Sequence, residues 1–516
     1  MVRDVALWIA SKEDNGLVTQ PGVGNESSKQ KLEILLLDNF DSKTPIDCFE
    51  GMPELKVLSL RASKSDYDDS FFSLSALKSL KNLRALQLEG FEQLKGISAL
   101  AKLTELEILS LHGSAVPESI DELGELENLK VFDIRQCKFL SGFPPNLIRR
   151  LVNVEELFLH CSTTKRDKST AILSELNFLL RLASLLLTVP SLHFPEDFVF
   201  PKLERYRIAI STDYQTYVSV ISVISSRCLA ISEGVPLNVI SELLRNVEIL
   251  GVTKITEKDI KCLTDKAPVN VAVATILKNL KCVIIGDCRN LQVFFQMKKA
   301  ENDLLLLSKL EVLFLWKLPN LEYIWKIPIQ HISLQSLEVV NMHTCDKLKS
   351  VFSFSLAQSL VRLQVLNILS CGELEQIVEE LEGDEHGISA NMNPDKPLCF
   401  PKLKTLEIAN CASLEYIFPN FMAPQGLPQL QKLWLTRLPQ LKQICRPAKQ
   451  REENGILLHL PSLTDIRLRD CPELTEATVH SEPVWANLEV FLSPLFALLL
   501  FLIISHKYLV FQYISK

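Results

Sequence analysis

A chain of 516 residues, 47% hydrophobic and 23% charged with only 17 Gly and 25 Pro, is too apolar to be disordered and too long for one ordinary core. It must be multidomain or a stack of repeats. A formal net charge of -7 with no basic stripe excludes a general nucleic-acid binder, because phosphate contacts need clustered Lys and Arg.

Residues 1–30 are polar and loop-like beyond the first turn and carry no secretory pattern, which predicts a linking segment of a cytoplasmic chain. From residue 31 to residue 480 a short apolar block then recurs. It starts at Leu55, Leu83, Leu106, Leu129, Val154, Leu203, Leu280, Leu310, Leu337, Leu363, Leu403, Leu430 and Leu463, with weaker copies at Leu32, Leu182 and Val247. Each reads Leu-x-x-Leu-x-Leu or a close variant, and most follow one another at the roughly 20–29 residues of a leucine-rich repeat. Two stretches, 209–246 and 378–398, are irregular and hold a degenerate repeat or an inserted loop.

Alternate side chains of a strand point to opposite faces, so the second and third apolar positions face inward while the residue between them faces out. One strand cannot bury such a face alone. Stacked copies can, and the expected fold is an α/β repeat, a leucine-rich-repeat solenoid of about sixteen repeats. Its parallel sheet lines the concave face, with loops and short helices on the convex face.

A second register runs beside the first. Cysteine falls eight residues after the block start at Cys137, Cys288, Cys345, Cys371, Cys411 and Cys471, usually followed by x-x-Leu. A small, buried thiol there suits the turn that leaves the strand. The competing disulfide or metal framework fits poorly, because the 13 cysteines are odd in number and contain no Cys-x-x-Cys pair. Pro201, Pro401, Pro428 and Pro461 stand just ahead of blocks, where a fixed φ and a missing N–H suit strand entry. Several late copies end in Leu-Glu-x-Ile, at Leu321, Leu374 and Leu414.

These residues carry a family resemblance. The opening residues 1–11 resemble the segment that follows the Met-His-Asp motif closing a nucleotide-binding module. Residues 200–208 and 226–229 resemble mid-array signatures of the same class, and Leu-x-x-Leu-x-Ile-x-x-Cys-x-x-Leu copies fill most of 280–475. The chain resembles the leucine-rich-repeat portion of plant nucleotide-binding leucine-rich-repeat disease resistance proteins of the coiled-coil class. The resemblance implies the sensor part of an intracellular immune receptor. Its partner would be a pathogen effector or a guarded host protein, with a nucleotide-binding module in cis if the chain is truncated. No Gly-x-x-x-x-Gly-Lys-[Ser/Thr] loop occurs, since Gly22 and Gly24 lead only into Asn25 to Lys29, so nucleotide binding does not carry over and no cofactor is expected. A stand-alone scaffold or adaptor is the alternative.

Nothing in the sequence points to an enzyme: His-Glu-x-x-His, Gly-x-Ser-x-Gly and Gly-x-Gly-x-x-Gly are absent, and the nine His lack metal spacing. Recognition would fall to outward strand positions and the residues just beyond them: Asp133, Arg135, Phe158, His160, Arg207, Phe314, Trp316, Trp434, Arg437, Arg467 and Arg469. Aromatics and Arg there offer contact area and planar hydrogen-bonding forks. The sharpest expectation is a patch around Phe314, Trp316 and Trp434. Residues 481–516 are a hydrophobic, non-repeat tail. Its uncharged run from Val490 to Ile504 falls short of the ~20 residues of a spanning helix, and carrying it to Phe511 takes in His506 and Lys507. Membrane association through 490–511 and a tail foreign to the family both remain open.

Overall fold

The computed structural model describes residues 6–10, 31–40, 49–62, 71–139, 144–160, 172–189, 194–210, 227–232, 235–236, 238–255, 262, 273–296, 305–326, 331–379, 398–419, 422, 425–446 and 460–474. The chain divides into two compact units, residues 1–214 and 215–516. Residues 211–226 of the irregular stretch 209–246, residues 380–397 of the stretch 378–398 and the whole tail 481–516 lie outside the described residues.

Each unit is built on a ladder of short parallel strands. In the first the strands are Ala6–Ala10, Leu32–Phe40, Val57–Ala62, Ala85–Glu89, Ile108–Ser110, Val131–Ile134, Glu156–His160, Ser184–Val189 and Arg205–Ile210, each paired with the next in sequence. In the second they are Arg227–Ile231, Ile249–Thr253, Cys282–Gly286, Val312–Trp316, Val339–His343, Val365–Leu369, Thr405–Ala409, Lys432–Thr436 and Asp465–Arg469. The two long sequence gaps resolve differently. The gap from Leu203 to Val247 contains a further strand, Arg227–Ile231, whereas Val365–Leu369 pairs directly with Thr405–Ala409, so 380–397 is an insertion between neighbours. The ladder also begins earlier than residue 31, because Ala6–Ala10 already pairs with Leu32–Phe40.

The block pattern sets the core. Leu58 and Leu60 pair in register with Leu86 and Leu88, and Leu366 and Ile368 with Leu406 and Ile408; all are essentially fully buried. The leading leucines Leu55, Leu83, Leu106, Leu310, Leu363 and Leu403 are also fully buried, each under a tight turn such as Leu83 N to Leu80 O at 3.1 Å. At about 1.5–3 kcal/mol for each such side chain, the three apolar positions of a block explain why it cannot be exposed singly and must be stacked. The backbone of that turn also explains the prolines. Lys81, Glu127, Val152, Leu180 and Val361 each donate their N–H to the carbonyl two residues back. Pro201, Pro401, Pro428 and Pro461 occupy the same place and give up only that one bond.

On leaving the strand the backbone enters the left-handed region in many of the described repeats. Gly90 and Gly113 do so in the first unit, and Asp287, Lys317, Thr344, Ser370, Asn410, Arg437 and Asp470 in the second. The N–H of that residue reaches the following strand: Lys317 N to His343 O at 2.8 Å, Thr344 N to Leu369 O at 2.9 Å and Ser370 N to Ala409 O at 2.8 Å. After Asp287, Thr344, Ser370, Asn410 and Asp470 the next residue is the cysteine of the second register. Cys288, Cys371 and Cys411 donate Sγ–H to the carbonyl two residues back, at 3.3, 3.6 and 3.5 Å, and Cys137 donates to Leu111 O at 2.8 Å. Burial pushes the Cys137 thiol up to about 12 and the Cys288 thiol up to about 11.

The opposite edge of each repeat carries elements the block pattern does not announce. Small parallel pairs form there, such as Val293–Gln296 with Tyr323–Lys326 and Tyr416–Phe418 with Gln443–Cys445, together with short helices such as Val273–Asn279 and Phe354–Gln358. The Leu-Glu-x-Ile endings at Leu321 and Leu414 are the entries to two of these strands.

Candidate protein-binding face

With the inward positions filled by aliphatics, the outward side of each ladder is left as rows of side chains from successive strands. In the first unit one row runs Ser59, Gln87, Ser110, Asp133, Phe158, Leu186, Arg207. Beside it an ion-pair chain crosses strands, from Asp38 to Arg61 at 3.5 Å and from Arg61 to Glu89 at 3.1 Å, with His112 Nδ1 3.8 Å from Glu89. Screened surface pairs of this kind contribute little each and serve mainly to fix side-chain positions.

Asp133, Arg135 and Phe158 do come together. Asp133 accepts two hydrogen bonds from the Arg135 guanidinium, at 2.9 and 2.7 Å, one from the Arg135 backbone N–H at 3.1 Å and one from Ser110 Oγ at 3.4 Å. The Arg135 guanidinium in turn sits over the Phe158 ring, 5.2 Å from its centroid. One expectation needs correction: Asp133 is 7% exposed and is no contact residue. The arginine two residues on covers it, so Asp133 acts by holding Arg135 still. Arg207 is half-buried beside Leu186. His160 closes its strand, and its side chain lies outside the described set.

In the second unit the central outward row is Gly251, Ile284, Phe314, Asn341, Asn367, Glu407, Trp434, Arg467. Phe314 and Trp316 form one aromatic pair, with centroids 5.3 Å apart. Gly286, the register partner of Trp316, makes room for it, since a Cβ on Gly286 would overlap the indole. Trp434 forms a separate cluster in which Arg467 lies over its ring at 4.0 Å and Lys432 at 5.7 Å. The structure thus sets two aromatic centres at the ends of a polar stretch, Asn341, Asn367 and Glu407, where the sequence suggested one patch. Arg437 is not a strand residue; it occupies the left-handed turn and, with Arg469, shares Asp470 at 3.8 Å each.

The titratable groups on this row reflect its partial burial. Burial holds the Glu407 carboxyl above the usual carboxylate range, with Arg467 pulling in the opposite direction. His343, the neighbour of Trp316, is held below the ordinary imidazole value by burial and by Lys317. Sequence reasoning missed Asn341, Asn367 and Glu407. Their alternation within the blocks marked them as outward, but only the register made them one row. Among the described residues no cluster of three His, Cys, Asp or Glu could hold a metal ion.

The repeat model of plant RPS2-like disease resistance proteins matches residues 241–372, inside the second ladder. The chain is a leucine-rich-repeat protein. Several solved structures are similar to it. An internalin, InlF, from Listeria monocytogenes shares 13% identity over 71% of this chain and 89% of its own, with a TM-score of 0.39. A Leptospira interrogans leucine-rich-repeat protein shares 16% over 80% and 91%, at 0.37. The functional domain of InlJ from Listeria monocytogenes, which includes a cysteine ladder, shares 14% over 82% and 76%, at 0.39. No curated protein matches the chain in sequence. Among the described residues of this leucine-rich-repeat protein, no helix is long and apolar enough to cross a membrane.

Proposed function

We propose that this chain is the protein-recognition portion of an intracellular plant immune receptor, binding a pathogen-derived or host protein through the outward ladder faces. One observation carries the reading: the inward positions repeat Leu and Ile with little change, while the outward rows carry a non-repeating set of aromatic and charged side chains. Side chains that neither fill the core nor repeat are where a repeat protein is specified for a partner. The RPS2-like match over residues 241–372 and the disease-resistance resemblance supply the biological context. A nucleotide-binding module in cis would convert binding into signal, and the cytoplasm is the compartment in which both would work.

The test places a photo-crosslinking residue at Phe158 or Trp434 and, as a control, at Lys349 on the opposite edge, in plant cells challenged with a pathogen. Discrete adducts from the outward positions only, accompanied by a defence response, are the expected result. Equal adducts from Lys349 would overturn the recognition face. Outward adducts to two host proteins without any defence response would instead make the chain a scaffold or adaptor.

A further inference from the structure

We propose that the turns leading into the strands Glu156–His160, Ser184–Val189 and Arg205–Ile210 form a second docking surface, apart from the outward rows, for an acidic amphipathic helix of another protein. Each turn buries one core residue, Leu151, Leu179 or Phe200, and sets the residues on either side of it at the surface. Those neighbours are Arg150 and Val152, Phe178 and Leu180, and Val199 and Pro201. Val152 is 50% exposed, Phe178 49%, Leu180 91% and Val199 37%. In earlier repeats the same places hold Ser79 and Lys81, or Glu125 and Glu127, as suits a turn left to water. Large apolar side chains gathered on neighbouring repeats, at positions where the fold accepts charge, mark a contact surface.

The frame beneath them is fixed. Val152 N–H donates to Arg150 O at 2.9 Å and Leu180 N–H to Phe178 O at 3.1 Å. The buried Glu175 carboxylate accepts from the backbone N–H groups of Asn146 at 2.7 Å and Arg149 at 3.3 Å, tying one repeat to the next.

Charge selects the partner. The Arg149 guanidinium lies over the Phe178 ring, 4.5 Å from its centroid, at one side of the patch, and Arg181 and Lys202 directly follow Leu180 and Pro201 at the other. Among the described residues none of these cations has a carboxylate partner, whereas nearby Arg150 pairs with Asp121 at 2.6 Å and Arg205 with Glu156 at 2.7 Å. An apolar stripe flanked on both sides by Asp or Glu answers the rings, the aliphatics and the cations together. A second copy of this chain, docked through a two-fold contact, would set the same cations against one another. An anionic membrane surface calls for a larger basic cluster, about four to eight Lys or Arg. A helix also fits the spacing. It advances about 5.4 Å per turn, so side chains one turn apart meet successive repeats, which stand about 4.8 Å apart at their strands.

The test follows fluorescence anisotropy as the full-length chain is added to a fluorescein-labelled peptide of two tandem copies of Glu-Leu-Ala-Glu-Leu-Leu-Glu-Ala. The control peptide carries Lys in place of every Glu. Saturable binding of the Glu peptide is expected, weakened by salt and about tenfold or more weaker in Leu180→Ser and in Arg181→Glu. Both side chains are exposed, so the variants keep the fold, as their melting temperatures will verify, and Lys81→Ser, at the same place in an earlier repeat, leaves binding unchanged. Equal binding of the Lys peptide, undiminished binding by Leu180→Ser, or no saturable binding of the Glu peptide would each overturn the proposal. Self-association, or binding to phosphatidylserine vesicles, that disappears in Leu180→Ser in place of peptide binding would give the patch to a second copy or to a membrane and overturn it equally. Crosslinks from Phe158 and Trp434 persist in Leu180→Ser, so this surface and the outward recognition face stand or fall separately.

Discussion

In the first unit the position after the left-handed turn residue is filled by Phe40, Phe91, Ser114 and Cys137; in the second it is filled mostly by cysteine, at Cys288, Cys345, Cys371, Cys411 and Cys471, with Leu318 and Leu438 in two turns. The two fillers hold the array together in different ways. The phenylalanines bind sideways into one cluster, with Phe72 5.6 Å from Phe40 and 5.2 Å from Phe91, and Phe40 6.2 Å from Phe91. Each of three thiols donates to a carbonyl two residues back, and Cys371 also lies in hydrogen-bonding reach of Cys345 and Cys411 in the adjacent repeats. At this one position the first unit joins a ring cluster, while the second sets a row of small thiols from repeat to repeat.

That contrast can be broken at four places. Phe91→Ala should cost the first unit about 3–5 kcal/mol, because a ring in a closed cluster leaves a cavity. Hydrogen exchange at the Leu86 and Leu88 amides measures this, and a loss below about 1 kcal/mol would show that the cluster is not the centre of that unit. The thiols offer a pH test. Burial at Cys288, and the neighbouring thiol together with burial at Cys371 and Cys411, raise the folded value above the unfolded one, near 9 for these thiols, so their contribution is complete below pH 9. It drains away as pH rises from there toward the folded value, about 11 for Cys288. The native chain should lose more stability between pH 8 and pH 10 than one carrying Ala at positions 288, 371 and 411, with Cys288 alone contributing about 1.4 kcal/mol of the difference. Parallel denaturation curves for the two would refute the thiol account.

A single thiol matters less. Cys371→Ala should cost only about 1–2 kcal/mol, read as a shift in the urea midpoint of the second unit, and a loss as large as that of Phe91→Ala would erase the distinction. The smallest effect has the opposite sign. Thr344 holds φ at +57, where a β-branched residue is strained, so Thr344→Gly should gain up to about 1 kcal/mol in melting stability. Destabilisation would mean that the contact between Thr344 Oγ1 and His343 Nδ1, at 2.7 Å, outweighs the strain.

What could be read from sequence follows the same division between repeated and unrepeated features. The Leu-x-x-Leu-x-Leu period located the inward leucines and most ladder strands, because thirteen clear copies reinforce one another. It could not locate Ala6–Ala10 or Arg227–Ile231, whose sequences lack the full block, or pairs as short as Phe72–Ser73 with Leu94–Lys95, which hold no period at all. The outward candidates were legible as directions, not as contacts. Alternation placed Asp133 on the outer face, yet its burial comes from Arg135, on the same face two residues later. Trp316 needs Gly286 beside it, a relation that spans 30 residues and appears only once the register is known.

The bond from each turn to the following strand also bears on how such a chain can change over generations. Thr344 N–H meets Leu369 O, and one repeat later Ser370 N–H meets Ala409 O. Among the described turns that make this bond, donor and acceptor lie in adjacent repeats at the same phase, so a duplication or deletion cut at equivalent turns leaves those bonds with a partner. The hydrophobic seam is restored as well. A gene built this way can lengthen, shorten or shuffle its outward rows by exchanging whole repeats, gaining a new surface in one step without passing through an unfolded intermediate.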